Sequence, residues 1–202
     1  MSLPLTLLRE RTEIRVKLCH FPECRQDEFL GVDSLSVSKI MNDSQIQSSA
    51  MSLTFVPAVA ADLDFFIHVH HTAYRSTIES MFGWDERRQD DYAKAAFALG
   101  GLTIVWRDRE RVGVVGWEEH QGYLWLKEVF ILPIYQNQGI GSQIVTISIA
   151  RARQNGQALR LQTLKANLGA KRLYERHGLR VTGVTEIHWH MAIDPPPANT
   201  VG

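Results

Sequence analysis

The stretch "LPIYQNQGIGSQIVTISIARARQNG", from Leu132 to Gly156, decides the fold of this chain. It follows the apolar run "GYLWLKEVFIL", carries two glycines in "QNQGIG", and continues as an amphipathic run with helical spacing. A strand that enters a helix through a glycine-bearing turn leaves several backbone amides unpaired at the positive end of the helix dipole. Such a turn is typical of a site that binds phosphate groups.

The side chains around this turn suit an anion without adding charge. Gly139 and Gly141 leave the backbone accessible, and Gln136 and Gln138 add neutral hydrogen-bond donors. Two common phosphate motifs do not fit, because a P-loop requires Gly-Lys-Ser/Thr and a dinucleotide fingerprint requires a third glycine, whereas Ser142 follows here. On these letters alone, an ordinary strand-to-helix turn explains the pattern equally well.

Length and composition limit the class of protein. A chain of 202 residues that is 45% hydrophobic can bury one substantial core and carry an appendage. Lys plus Arg and Asp plus Glu both total 22, so we expect neither nucleic acid nor a membrane as a partner. No apolar run approaches the roughly 20 residues of a membrane span, and charges interrupt the N-terminal stretch before a signal-peptide core could form. Two cysteines make no disulfide framework, so we expect a cytoplasmic protein. A homodimer is the assembly that we consider for it.

The N-terminal quarter differs from the rest. The segment "DSLSVSKIMNDSQIQSSA" is rich in Ser, Asn, Asp and Gln and has no sustained period. We therefore expect a flexible extension over residues 1–50 and one compact domain over residues 51–202. Cys19, His20 and Cys24 do not predict a zinc site, because no fourth ligand lies at a suitable spacing.

The first half of the predicted domain contains strands and two helices. "LTFVPA" predicts a strand that ends at Pro57, and the run after it predicts a helix with Asp62 as a candidate N-cap. Asp85 is placed to cap a second helix that ends at the Gly100–Gly101 pair. Three β-rich runs, "LTIVWRD", "RVGVVGWEE" and "GYLWLKEVFIL", then predict an antiparallel meander.

Helices and strands alternate after the meander. The pattern predicts a helix from about Ile140 to Gln154, the strand "ALRLQTL", the helix "LGAKRLYERH" stopped by Gly178, and the strands "LRVTGV" and "EIHWHMAI". A strand, a crossover helix and a strand in succession imply a parallel pair. The predicted fold is α+β, with a mixed and mostly antiparallel sheet, a parallel central pair, and helices on both faces.

Two motifs carry a family resemblance. "LPIYQNQGIGSQIV" matches the pyrophosphate-binding motif Gln/Arg-x-x-Gly-x-Gly/Ala of the GNAT superfamily of acyl-CoA-dependent N-acyltransferases, and "NLGAKRLYERHGL" resembles the Asn-x-x-Ala-x-x-x-Tyr-x-x-x-Gly-Phe pattern that follows it there. Leu179 replaces the usual phenylalanine. The order of elements from about Leu53 to Ile193 is similar as well, and the chain looks closest to small bacterial members.

The resemblance implies acetyl-CoA as cosubstrate and no metal. It implies an N-acetyltransferase that moves an acetyl group to a primary amine by direct attack on the thioester. The residues that it assigns to the cofactor are Gln136, Gln138, Gly139, Ile140, Gly141 and Ser142 for the pyrophosphate, Val129, Phe130 and Ile131 for the pantetheine arm, and Asn167, which is equally a helix N-cap.

The chemistry requires a proton donor and a base. Tyr174 lies seven residues after Asn167, two turns along the same helical face, and the resemblance implies that it protonates the leaving thiolate. An aromatic side chain packed in the core is the alternative. The base is less clear, because Trp125 stands where one branch of the family has a glutamate. Glu128 is the nearest substitute, since burial within an apolar run would raise its pKa. An ion-paired sheet position explains Glu128 as well; Glu118, Glu119 and Glu79 are weaker candidates.

Three histidines lie close together in the first predicted helix. His68, His70 and His71 do not predict a metal site, because side chains at this spacing diverge around a helix. We expect one of them to be buried and the others solvated.

Aromatic residues are candidates for the acceptor site or, equally, for the core. They are Tyr74, Phe82, Trp84, His188 and Trp189. Nothing in the sequence separates a small-molecule amine from a peptide amine as substrate. A second function, a non-catalytic acyl-CoA-binding sensor, is favoured by Trp125 in place of the family glutamate and opposed by the retained Tyr174. An acetyltransferase that acts on charged tRNA is disfavoured by the neutral charge balance.

Overall fold

The structure, a computed structural model, describes residues 52–195. The predicted extension over residues 1–50 and its boundary at Met51 lie outside the described residues and stay predictions.

Strands and helices follow one another in the predicted order. They are β1 (Leu53–Pro57), α1 (Leu63–Phe82), α2 (Glu86–Ala98), β2 (Leu102–Arg107), β3 (Glu110–His120), β4 (Tyr123–Ile131), α3 (Ile140–Gln154), β5 (Ala158–Leu164), α4 (Leu168–Arg176), β6 (Arg180–Val184) and β7 (His188–Ile193). Within residues 52–195, none of the helices has both the length and the apolar character that crossing a bilayer requires.

The strands form one sheet in the order β1-β2-β3-β4-β5-β7-β6. The β4–β5 pair is parallel and the other neighbouring strands are antiparallel, which confirms the predicted fold class. The last strand, β7, lies between β5 and β6, a placement that the sequence pattern did not predict.

Each face of the sheet has its own core. The cluster on one face joins residues of α1 and α2 to the sheet, through Phe66, Val69, Ala93, Ala96, Val114 and Phe130 among others. The other cluster joins α3 and α4 to the sheet, through Ile140, Ile144, Val145, Tyr174, Val115 and Leu161 among others. Val114 and Val115 are adjacent in β3 and belong to different clusters, as the alternation of side chains along a strand requires.

One of the two predicted N-caps forms and the other does not. Asp85 caps α2, because its Oδ1 accepts a hydrogen bond from the amide of Arg88 at 3.1 Å. Asp62 stands at the N-cap position of α1 but does not cap it with its side chain. Its carboxylate instead accepts from the amide of Val59 at 3.0 Å and from Nη1 of Arg111 at 3.3 Å, so it serves the preceding turn and an ion pair.

A β-bulge interrupts β4. Glu128 pairs with Gly116 of β3, whereas Trp117, the next residue of β3, pairs with Leu126. Lys127 is therefore an extra residue on β4. The parallel pairing with β5 ends at the same place, at Leu126.

The bulge changes which face of the sheet the side chains of β4 reach. Leu124 and Leu126 belong to the α3–α4 core, and a regular strand would place Phe130 there too. Phe130 instead belongs to the α1–α2 core, while Val129 and Ile131 pack against the α3–α4 core. Glu128, two residues before Phe130 and beyond the bulge, shares its alternation and points toward the α1 side.

Candidate active site

The separation of β4 from β5 leaves a strand edge open. The β4–β5 pairs stop at Leu126 and Leu161, so residues 127–131 have no partner in β5 within the described sheet. An extended ligand can add to such an edge by main-chain hydrogen bonds. Val129, Phe130 and Ile131, the residues predicted to pair with the pantetheine arm, lie on this edge, so their position fits that prediction.

The turn before α3 has the backbone geometry of an anion site. Gly139 has φ 83° and stands at the N-cap without a side-chain cap. The amide of Gln143 donates to the Gly139 carbonyl at 3.0 Å as the first helical hydrogen bond, so the amides of residues 140–142 precede the helical ladder. A Cβ added at Gly139 would meet nothing within 4 Å, so the approach to these amides is open. The turn therefore fits the predicted phosphate group.

Gly141 has a packing role that the sequence did not reveal. A Cβ added there would lie 3.1 Å from Cδ2 of Leu173 and 3.6 Å from Cδ1 of Ile131. The missing side chain lets α3 approach α4 and β4. A large residue at Gly141 would therefore disturb this packing as well as any ligand.

The side chains of Gln136 and Gln138 hydrogen-bond to backbone carbonyls that precede them in the chain. Nε2 of Gln136 donates to the carbonyl of Ile131 at 2.9 Å, and Nε2 of Gln138 donates to the carbonyl of Ile134 at 2.7 Å. Both donors thus hold the segment that connects β4 to α3. Their assignment to the pyrophosphate stays a prediction.

An arginine that belongs to neither motif lies beside this turn. Nη1 of Arg107, at the end of β2, donates to Oε1 of Gln138 at 2.5 Å, and its guanidinium lies 4.9 Å from the ring centre of Tyr135. Arg107 and Gln138 are 31 positions apart, so no motif at the turn could have indicated this contact.

Asn167 has the capping role predicted for it. Its Oδ1 accepts a hydrogen bond from the amide of Ala170 at 3.0 Å at the start of α4. The contact with the pantetheine arm stays a prediction.

Three buried or half-buried titratable side chains from three elements influence one another's pKa values near the bulge. Glu128 of β4 is 9% exposed, and burial raises its pKa to about 7 although Lys127 acts in the opposite direction. Tyr174 of α4 is 7% exposed, and burial followed by the charge of Glu128 raises its pKa to about 12. Burial, Glu128 and Tyr174 also raise the pKa of Tyr74 of α1. The predicted burial of Glu128 and the raised pKa are confirmed.

The carboxyl of Glu128 therefore has a much lower pKa than the phenols of Tyr174 and Tyr74. A carboxyl group with a pKa near 7 can accept a proton at neutral pH, and the phenols stay protonated and can donate one. The weaker base candidates are all exposed: Glu79 lies on α1, Glu119 pairs with Arg151 at 2.9 Å and Glu118 contacts His120 at 3.1 Å. Glu128 is therefore the carboxylate best placed to act with Tyr174.

A stripe along α1 packs over Phe130. The rings of Phe66, His70 and Tyr74 lie 6.0, 5.2 and 5.0 Å from the ring of Phe130. This stripe brings Tyr74 to the region of Glu128. His70 is 1% exposed, and burial lowers its pKa to about 4, so it is neutral at physiological pH.

The other two histidines of α1 differ from each other. His68 is exposed, as expected. His71 is half-buried and has Glu86 Oε1 3.2 Å from Nδ1 and Asp90 Oδ1 3.4 Å from Nε2, so the expectation that it is solvated was wrong. Its carboxylate partners come from α2, which the spacing of the histidines could not predict. His71, Glu86 and Asp90 each place one possible ligand atom within 4.8 Å of the other two, so the carboxylates of α2 rather than the neighbouring histidines of α1 surround His71.

The aromatic residues predicted to form a wall of the acceptor site lie in different surroundings. Tyr74 lies near Glu128, as its pKa indicates. Phe82 is 45% exposed, and Trp84 packs against His71 and donates from Nε1 to Glu86 Oε2 at 2.6 Å.

His188 is buried in β7. Burial, followed by His190, lowers its pKa to about 4. Phe82, Trp84 and His188 therefore keep only a predicted role in acceptor binding.

Both motifs and the fold point to a class of acyl-CoA-dependent acyltransferases. The chain matches the model of the Acetyltransferase (GNAT) family over residues 66–179, more than half of its length. The chain therefore belongs to the GNAT family of acetyltransferases, as its resemblance predicted. No curated protein sequence gives a significant match to it.

Solved structures share the fold at low sequence identity. PaiA N-acetyltransferase from Thermoplasma acidophilum, in complex with coenzyme A, has a TM-score of 0.59 and 14% identity over 71% of this chain and 99% of its own. The ribosomal-protein alanine N-acetyltransferase of Escherichia coli has a TM-score of 0.57 and 18% identity over 75% and 99%. YncA from Salmonella typhimurium, with acetyl-CoA, has a TM-score of 0.50 and 18% identity over 72% and 95%.

Proposed function

We propose that this protein is an N-acetyltransferase that moves an acetyl group from acetyl-CoA to a primary amine by direct attack on the thioester. The observation that carries the proposal is that the charge of buried Glu128, placed where β4 separates from β5, acts on the buried phenol of Tyr174. Membership in an acetyltransferase family supports the reaction class, and two solved structures of similar fold contain coenzyme A or acetyl-CoA.

The cofactor would be held along two surfaces. The amides of residues 140–142 and the open backbone at Gly139 suit the diphosphate, and the free edge at Val129–Ile131 suits the pantetheine arm. When bound, acetyl-CoA supplies an electrophilic carbonyl carbon and a thiolate leaving group. These surfaces run from the start of α3 along the end of β4, on which Glu128 lies.

The reaction requires two proton transfers, and side chains of the protein accept one proton and donate the other. Glu128, with a pKa near 7, accepts the proton that the attacking amine loses. Tyr174 keeps its proton on Oη at neutral pH because its pKa is about 12, and gives it to the departing sulfur. The buried surroundings of both groups strengthen their interaction with charge that develops between them.

The acceptor is a small-molecule or peptide amine. The similar structures do not narrow this choice, since one is a PaiA N-acetyltransferase and another acts on a ribosomal-protein alanine. The cytoplasmic location and the homodimer considered from the sequence stay predictions. The alternative function, a non-catalytic acyl-CoA sensor, is favoured by Trp125 in place of the family glutamate and opposed by the raised pKa of Glu128.

A panel of amines tests the proposal. The protein is incubated with acetyl-CoA and polyamines, amino acids, peptides with free N-termini or lysine, or aminoglycosides, and thiol release is measured. We expect turnover with at least one class and none with the Glu128→Gln, Tyr174→Phe double variant. Tight binding of acetyl-CoA in calorimetry with no turnover on any amine would favour the sensor.

A further inference from the structure

The turn between β4 and α3 has no charge of its own. From Leu132 to Ser142 the sequence contains no Lys, Arg, Asp or Glu. Backbone amides and a helix dipole supply only partial positive charge, whereas a diphosphate carries full negative charges. A formal positive charge at this site must therefore come from another element.

We propose that Arg107 of β2 supplies this charge and binds the diphosphate of the cofactor. This inference rests on the proposed use of acetyl-CoA. Its basis is the contact between Nη1 of Arg107 and Oε1 of Gln138, the residue directly before Gly139 at the N-cap of α3. The guanidinium thus contacts the side chain of the residue that directly precedes the N-cap of α3.

The position of Arg107 is held by its surroundings. Its guanidinium lies over the ring of Tyr135 at 4.9 Å, and the hydroxyl of Tyr135 donates to Oε2 of Glu110 at 2.5 Å. Arg107 also pairs with Glu110 across the β2–β3 ladder. These contacts join the β2–β3 hairpin to the turn before α3. The side chain of Arg107 is therefore positioned beside this turn before any ligand binds.

A phosphate is a better partner for Arg107 than Gln138 is. Hydrogen bonds between two charged groups are about twice as strong as neutral ones, and a guanidinium matches two phosphate oxygens with its planar fork. The neutral amide oxygen of Gln138 can be exchanged for a phosphate oxygen at small cost. The hydroxyl of Tyr135 donates to one carboxylate oxygen of the nearby Glu110.

The other arginines of the hairpin are placed differently. Arg111 pairs with Asp62 at 3.3 Å, and its guanidinium lies 4.4 Å from the ring centre of Phe65, on α1. Arg109 is exposed in the turn between β2 and β3. Arg109 therefore serves as a matched control, since it carries the same charge two residues from Arg107.

Calorimetry with three ligands tests the assignment. Coenzyme A, dephospho-coenzyme A, which keeps the diphosphate, and pantetheine, which has no phosphate, are titrated into wild type, Arg107→Gln, Arg107→Lys and Arg109→Gln. We expect Arg107→Gln to weaken both nucleotide ligands about tenfold or more and to leave pantetheine unchanged. Arg107→Lys, which keeps the charge but loses the fork, should weaken them by a smaller factor, and Arg109→Gln by less than about twofold.

The outcomes separate this inference from the proposed function. Equal affinities for Arg107→Gln and Arg109→Gln would overturn the role of Arg107. A loss with coenzyme A but not with dephospho-coenzyme A would place the arginine at the ribose phosphate instead, and a loss with pantetheine would mean a structural role. If Arg107→Gln does not fold, wild-type affinity of Arg107→Lys overturns the bidentate contact. Wild-type protein that binds no coenzyme A would refute the proposed function itself.

Discussion

The charge of Glu128 on β4 acts on the phenol of Tyr174 on α4, and together with burial, the larger cause, it raises the pKa of that phenol to about 12. Glu128 lies just beyond Leu126, where β4 separates from β5, and Tyr174 lies in the helix that follows β5. An acid that stays protonated and a carboxyl that titrates near neutrality therefore act on each other across two elements. The predictions below test these two roles and the backbone that holds them.

Tyr174→Phe should remove the proton donor and leave the cofactor site intact. We expect kcat to fall by about 10²–10⁴, the usual contribution of a positioned acid, with the Kd for acetyl-CoA unchanged. Thiol release and calorimetry measure the two quantities. Tyr123→Phe is the control, because Tyr123 stacks on His120 at 4.6 Å at the start of β4. Full turnover of Tyr174→Phe, where acyl transfer limits the rate, would refute the acid.

Tyr74→Phe distinguishes the two phenols near Glu128. We assign Tyr74 to the acceptor wall, so its loss should raise KM for the amine and lower kcat by less than the roughly 10²-fold minimum expected of an acid. Steady-state kinetics with varied amine concentration checks this. A large fall in kcat at constant KM, equal to that of Tyr174→Phe, would mean that Tyr74 shares the proton transfer.

Glu128→Gln should change the pH profile of the rate. The base must be deprotonated, so kcat/KM of the wild type should fall as the pH drops below about 7. The variant should lose this acidic limb and about 10²–10⁴ of its rate. The acceptor must be a weakly basic amine, because an ammonium that titrates near neutrality produces a similar limb. A limb that survives in the variant would assign the titration to another group.

Glu128→Gln should also change how folding stability depends on pH. Folding favours the protonated form of Glu128, whereas its role as a base requires the deprotonated form. Burial raises the pKa of Glu128 from 4.5 to about 7, so the folded state keeps a proton that the unfolded state loses in this range. Folding stability due to Glu128 is therefore present below pH 4.5 and is lost as the pH rises through about 7. Relative to wild type, Glu128→Gln should gain up to about 3 kcal/mol between about pH 4.5 and about pH 8.

Urea denaturation of both proteins at the two pH values measures this difference. His70 and His188, whose pKa values burial lowers to about 4, lose stability in the acidic direction, but they are common to both proteins and cancel. A difference in free energy that does not vary with pH would mean that Glu128 titrates normally in the folded protein.

Gly113→Ala should displace the end of β4. A Cβ at Gly113 would lie 2.2 Å from the carbonyl oxygen of Phe130 and 3.2 Å from Cα of Ile131, both backbone atoms. We expect a loss of about 1–3 kcal/mol in the free energy of unfolding and weaker binding of coenzyme A, since the same backbone is predicted to hold pantetheine. Gly169→Ala is the control, because its nearest neighbour is Oδ1 of Asn167 at 3.7 Å. Equal stability of both variants would contradict the close approach of the two strands.

Local patterns were enough to predict most of the fold. The period of the apolar residues and the turn residues between them predicted each described α-helix and strand, and the strand–helix–strand order predicted the parallel β4–β5 pair. The place of β7 between β5 and β6 was not predicted, because two short strands at the end of a chain can join a sheet in several orders.

The bulge at Lys127 also escaped prediction. Buried and half-buried residues alternate without interruption along β4, so its pattern is that of a regular strand. Only the register with β3, where Glu128 faces Gly116 and Leu126 faces Trp117, shows that one residue is extra. A change of one residue moves every later side chain to the other face, which is why Glu128 lies toward α1.

The sequence by itself determined the family, the positions of the two motifs and the turn with Gly139, because these depend on residues that are close together along the chain. The tertiary structure decided which side chains from distant elements join them. Tyr74 reaches Glu128 through the packing of α1 on Phe130, and Arg107 reaches Gln138 across the β2–β3 hairpin. Such contacts depend on strand register and helix packing, which arise only when the whole sheet has formed and are encoded in no single short pattern.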